Sequence, residues 1–202
     1  MSVRYSTYCT IKNDKVWIDG LSFFTGDPTS EKDFLRQVYH YLNLDYPKFY
    51  KMDNLSKLGI LGVEIVRHKM PWLDNLSDES IALVFQTVMG CLESDLQHQK
   101  NLENSAASPS VFVYTLSNIV IGEISIRNKW YGESICLMGR SSDLSDLVSY
   151  SKSLILNNKA QLVLAAIIDS VHDQHTLNMF VVEKSTSGEE FSEENLKKII
   201  EH

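Results

Sequence analysis

Ile81-Ala82-Leu83-Val84-Phe85 is a continuous apolar run of strand length. It offers no side chain to water, so it reads as a strand buried on both faces of its sheet, with helices above and below. Residues 160–168 form a second buried strand of this kind. A chain holding two such strands is directed toward a layered α/β fold rather than a helical bundle or a one-sided sheet.

The rest of the chain fits that frame. Residues 3–11 alternate as a first strand, and Val16-Trp17-Ile18 continue it or pair with it. Asp19-Gly20 and Gly26-Asp27-Pro28 mark turns. Ser30-Glu31-Lys32-Asp33 has the form of a capping box, and Phe34, Leu35, Val38, Tyr41 and Leu42 give the following helix an apolar face, ended at Asp45-Tyr46-Pro47. A second helix runs from about Asn54 to His68, where Gly59 and Gly62 permit close approach to a neighbour. Asp74 to Asp78 is a polar loop or short helix. Gln86 to Gly90 leave the first buried strand, Glu93 to Leu102 form a polar helix, and residues 103–107 link onward.

Residues 108–144 then read as helix, turn, strand and helix start. Ser108-Pro109-Ser110 is a helix start signal, and Val113, Leu116, Val120, Ile124 and Arg127 follow at near-helical spacing. Gly132 ends a turn, Ile135-Cys136-Leu137-Met138 is a short strand, and Asp143 is placed to cap the next helix. That helix carries Leu144, Leu147, Val148, Leu154 and Ile155 inward and stops at Asn157-Asn158. Residues 176–183 form a last long strand, Ser187-Gly188 turn, and Ser192 caps a short amphipathic helix. No internal repeat appears, so residues 1–202 read as a single layered domain.

Composition excludes several classes. Net charge is −7 over 202 residues, which argues against nucleic acid and anionic membrane surfaces as main partners. An acyl carrier protein, itself acidic, would need a local basic patch that this balance does not supply. No apolar stretch reaches the length of a membrane span, and Met1-Ser2-Val3-Arg4-Tyr5 lacks a signal-peptide core. Cys9, Cys91 and Cys136 are an odd number at unrelated spacings and read as reduced, mostly buried thiols of a cytoplasmic protein.

Ser108-Pro109, Thr115-Leu116-x-Asn118-Ile119, Gly122-Glu123-Ile124-x-Ile126-Arg127 and Gly132 together resemble the segment of β-ketoacyl synthases that leads to the active-site cysteine. Residues 160–166 fit the strand after that family's nucleophile helix. The resemblance is specific over 108–144, moderate over 145–183, diffuse over 51–107 and weak before that. Counting forward from Gly132 and back from Leu162 places the family's nucleophilic cysteine at Ser141. The resemblance implies an α/β fold of the thiolase-like N-terminal half, with a five-stranded mixed sheet flanked by helices. The second half of the family chain, which supplies two residues that promote decarboxylation, is not represented. It further implies pairing through the strand Ser134, Ile135, Cys136, Leu137 and Met138, with Tyr114, Thr115 and Asn118 beside it. The partner would be a second copy or a full-length synthase, the logic of chain-length factors, and a carrier protein is a further candidate. The Thr115–Ile119 stretch is similar to short bacterial synthase-like proteins of aryl-polyene and flexirubin-type synthesis.

The residues themselves carry little catalysis. A serine needs an adjacent base to act as a nucleophile, and residues 139–144 supply none. Gly139-Arg140-Ser141-Ser142-Asp143 also misses the serine-hydrolase elbow at its last position. Ser141 therefore reads as a small polar residue at a helix start. His172 and His175, with Asp173 between them, lack a fourth metal partner and read as a solvated loop; no metal or other cofactor is expected. Cys91 has no flanking cation to lower its pKa and reads as a structural thiol. Trp17, Trp72, Trp130 and Tyr131 are not interleaved with cations and read as packing or interface residues; His68 and His98 lie on polar helix faces. Three functions stand open: a non-catalytic synthase-like subunit, a residual Ser141-dependent malonyl-thioester decarboxylase or thioesterase, and a homodimeric binding or scaffold protein.

Overall fold

The first strand is longer than its sequence signal, and a bulge explains how it serves two faces. In the computed structural model, which describes residues 2–140 and 142–201, β1 spans Ser2–Lys12. Its register against a later strand shifts between Tyr5 and Thr7. Before the shift Val3 and Tyr5 enter one core; after it Cys9 and Ile11 enter the other. A one-residue slip exchanges inward and outward side chains, so one bulge feeds both layers. Asn13-Asp14 and Asp19-Gly20, all at positive φ, turn the chain tightly into β2 (Lys15–Ile18) and β3 (Leu21–Thr25).

Helix α1 (Phe34–Tyr41) is capped by Asp33, whose carboxylate accepts the Arg36 N–H at 2.9 Å. The cap thus falls three residues after Ser30. Helix α2 (Asn54–Lys69) is capped by Asp53, which accepts the Ser56 N–H at 3.1 Å. The first buried run is β4 (Ile81–Thr87), with every residue buried. Then follow α3 (Leu92–Glu103), α4 (Pro109–Val113), α5 (Ile119–Asn128), β5 (Ser134–Met138) and α6 (Ser145–Leu156). The chain closes with β6 (Leu162–Val171), β7 (Gln174–Ser185), the two-residue β8 (Glu189–Glu190) and α7 (Glu193–Ile200), capped by Ser192.

All these strands join one mixed sheet in the order β3-β2-β1-β7-β6-β4-β5, with β8 on β1. Strands β4, β5 and β6 are parallel, and β7 is antiparallel to β6 and β1. Helices α1, α2 and α5 cover one face; α6 and α7 cover the other. The expected five-stranded sheet is present as β1-β7-β6-β4-β5. The sheet has eight strands because the Leu21–Thr25 segment extends the β1–β2 hairpin and β8 adds a short pairing.

Gly59 and Gly62 do what their spacing implied. A Cβ on Gly59 would collide with Val120 of α5, and one on Gly62 with Leu177 of β7. The single helix expected from Ser108 to Arg127 is broken into α4 and α5. Thr115, Ser117 and Asn118 are poor helix interiors, because their side chains compete for backbone groups. The Thr115 hydroxyl donates to the Phe112 carbonyl at 2.8 Å, and the Cys91 thiol donates to the Thr115 carbonyl at 2.7 Å. His175 departs from the solvated-loop expectation. It is buried in β7, its Nδ1 hydrogen-bonded to Ser170 at 2.9 Å and its ring stacked on Phe34.

Candidate functional site: the β5 edge and the ends of the parallel strands

Strand β5 is the terminal strand of the sheet and pairs only with β4 among the described residues. The Glu133 carbonyl accepts from Leu83 N–H, and the Gly139 N–H donates to the Thr87 carbonyl. Both residues flank β5 and turn toward β4. Backbone groups alternate sides along a strand, so Ser134, Cys136 and Met138 turn their N–H and C=O outward from the sheet. Such a row is an open template for a further strand.

The surroundings of this edge are apolar. Met138 is 62% exposed, Phe112 55% and Ile126 63%, and Val88, Met89, Val113 and Leu116 are also exposed. They lie on β5 itself, on the turn after β4, on α4 and the loop after it, and on α5. The outer face of α6 differs, carrying Ser145, Asp146, Ser149 and Ser153 to solvent. Seven large exposed apolar side chains thus fall on β5, the turn after β4 and the α4–α5 region, while others, among them Leu21 of β3, Trp72 and Leu156 at the end of α6, lie elsewhere.

Two polar side chains, half-buried Asp169 and buried Gln86, build this end of the sheet. Asp169, near the end of β6, accepts the Val88 and Met89 N–H groups at 3.0 and 2.8 Å and the Thr87 hydroxyl at 2.8 Å. The Thr87 hydroxyl in turn accepts the Gly90 N–H at 2.9 Å, and Gly90 sits at φ +58°, where a side chain would be strained. This lattice fixes Val88 and Met89 with their side chains outward. Gln86 is 2% exposed, and its amide donates to the Arg140 and Asp143 carbonyls at 3.0 and 2.9 Å. It anchors the loop that follows β5. Replacing Gln86 with Ala strips both carbonyls of their donor, at a cost of about 1–3 kcal/mol. The expected result is a lower melting temperature with faster amide exchange over residues 140–144.

Ser141 lies outside the described residues. Around it, the Asp143 carboxylate accepts the Ser145 hydroxyl at 2.7 Å and N–H at 3.1 Å, and these bonds hold it below the usual carboxylate range. Its capping contact lies one residue outside α6, whose cap position is Leu144. Cys91 is buried, and burial together with Asp95 raises its thiol pKa despite a lowering contact from Ser117. Burial pushes the Cys136 thiol up to about 11. Both are therefore neutral thiols near pH 7, unsuited to thiolate chemistry.

The other sequence-derived residues divide. Thr115 is half-buried and Asn118 exposed, at the break between α4 and α5. Tyr114 turns inward instead: it packs on the α2 core, and its hydroxyl donates to buried Glu123 at 3.1 Å. Burial and then Glu123 raise its pKa, and Glu123 also pairs with Lys48. Sequence reasoning missed Val88, Met89, Phe112 and Leu116. Val88-Met89 continue an apolar run, and only the position of Asp169 decides that they emerge. Among the described residues no three His, Cys, Asp or Glu side chains converge as a metal site, and no helix is long and apolar enough to cross a membrane.

This topology is the thiolase-type fold of ketosynthase and chain-length-factor subunits. No family model and no curated protein matches the chain. Among solved structures, "The ishigamide ketosynthase/chain length factor" superposes with a TM-score of 0.67 at 13% identity, covering 94% of this chain and 64% of the other. A type II PKS acyl-carrier protein in complex with its ketosynthase gives 0.67 at 13% identity, covering 90% of this chain and 62% of the other. A complex of the ketosynthase ApeO with its chain length factor ApeC from Xenorhabdus doucetiae gives 0.61 at 13% identity, covering 100% of this chain and 91% of the other. The chain thus spans less than two thirds of the length of the first two structures and nearly all of the third.

Proposed function

We propose that this chain is a non-catalytic ketosynthase-like subunit that pairs through β5 with an active β-ketoacyl synthase, in fatty-acid or aryl-polyene and flexirubin-type synthesis. The observation that carries the reading is the open β5 edge, with outward backbone groups at Ser134, Cys136 and Met138 inside an apolar surround. A partner strand would satisfy those groups, and the partner's surface would cover Val88, Met89, Phe112, Leu116 and Met138. In this reading residues 1–202 act as one thiolase-type half. Ser141 stands where the resemblance requires a thiolate, so the chemistry belongs to the partner, and any acyl carrier protein delivers to the partner's site.

A homodimer is the second reading, since an antiparallel copy of β5 meets the same outward donors and acceptors. Turnover separates both from a residual enzyme. The purified chain is expected to release no CO2 from malonyl thioesters above the buffer rate. Release that disappears in Ser141→Ala contradicts the non-catalytic reading and supports a decarboxylase.

A further inference from the structure

A second feature lies far from β5, on the sheet face that α7 covers only in part. Beyond the bulge in β1, Tyr8, Thr10 and Lys12 share one side of the strand, and Trp17 of β2 sits directly across from Thr10. The C-terminal turn of α7 closes the strip with Lys198 and Ile199. Together they line a cleft of about 310 Å³. The phenol of Tyr8 is braced from behind, stacked on Phe180 and edge-on to Tyr5. Its hydroxyl end occupies space that a side chain on Gly20 would crowd, at 3.1 Å, and Gly20 holds φ +77° at the turn.

We propose that this cleft is a binding site for a small planar aromatic carboxylate. Its volume lies near the lower end of the range for ligand pockets, roughly 300–1,000 Å³, which fits one or two fused rings. Trp17 and Tyr8 supply an aromatic wall for the ring system, and Ile199 an aliphatic one. Lys12 and Lys198 supply the positive charge for the carboxylate. The Lys198 ammonium is held by exposed contacts on its own helix, an ion pair with Glu194 at 2.8 Å and a hydrogen bond to Asn195 Oδ1 at 3.3 Å. An exposed pair of this kind is weak, so a carboxylate in the cleft competes for it. The site is separate from the β5 edge, and the proposal stands or falls independently of the pairing partner.

Amide-resolved NMR titration of the full chain with naphthoate tests it. Saturable shifts are expected at residues 8–20 and 198–199, with a dissociation constant below about 1 mM. Naphthamide, which keeps the rings and loses the charge, is expected to bind at least about ten-fold more weakly to the unmodified protein. Lys12→Gln with Lys198→Gln, both solvent-accessible changes, should weaken naphthoate by a similar factor. Absence of saturable shifts overturns the proposal, as does equal binding of naphthamide or a shift pattern confined to residues 88–89, 112–116 and 138.

Discussion

Cys136→Pro is expected to leave the fold intact and to abolish pairing at the sheet edge. Position 136 turns its N–H away from β4, so proline removes no bond of the existing ladder there, and an edge strand tolerates proline on its outer side. What it removes is the central outward donor of β5, together with the weak thiol contact to the Ser117 carbonyl. The partner carbonyl that this N–H would meet is left unpaired, costing about 1–3 kcal/mol, and the ring fills the space where the strands approach. The partner dissociation constant should rise by at least about ten- to a hundred-fold. Ile135→Pro is the contrasting variant. Residue 135 shares the parity of Glu133 and Gly139, which bond to β4. Proline there breaks the β4–β5 ladder, and the melting temperature should fall. Sedimentation and circular dichroism on the two variants read pairing and folding separately. If Cys136→Pro pairs as the unmodified chain does, β5 is not the interface.

Gly62→Val is expected to be among the most destabilising single substitutions in the chain. A Cβ at Gly62 would fall inside the van der Waals shell of Leu177 Cδ2 and 3.2 Å from Met179 Cε, and both residues are fully buried. Alanine would gain about 1 kcal/mol of helix propensity over glycine, against overpacking of about 1–3 kcal/mol. Valine adds two more methyl groups to the same gap and gains less propensity, so packing decides the sign. A net loss of about 2–3 kcal/mol corresponds to a drop of roughly 4–12 °C for a chain of this size. Gly62→Ala should fall between the two. A melting temperature unchanged in Gly62→Val would mean that α2 does not lie this close to β7.

The layered class was legible because β4 and β6 are apolar on both faces, and the paired glycines of α2 announced a close helix–sheet approach. Most helix ends were legible too, since Asn157-Asn158 and Ser192 act through local chemistry. What the sequence hid was non-local. The bulge at Ser6 leaves no periodicity signal of its own, because it is defined by register against β7. At the break between α4 and α5 the Thr115 carbonyl meets the thiol of Cys91, 24 residues away, a contact that no local pattern announces. His175 looked like a loop residue until its strand paired with β6. At the candidate site, the β5 residues were visible as a short apolar strand beside a motif. The outward direction of Val88 and Met89 was not, because Asp169 sets it from another strand. The inward turn of Tyr114 was hidden for the same reason: its partner Glu123 lies one turn into a helix that begins only after the break.

The most direct measurement is recovery of a tagged copy from its native host, compared with the same purification of Cys136→Pro, with the associated proteins identified by mass spectrometry. The account predicts a full-length β-ketoacyl synthase at about one-to-one with the unmodified chain, amide protection over residues 134–138 in the complex, and loss of the synthase in the variant. A chain recovered alone and monomeric, with residues 134–138 exchanging freely, or a synthase retained equally by Cys136→Pro, would contradict it.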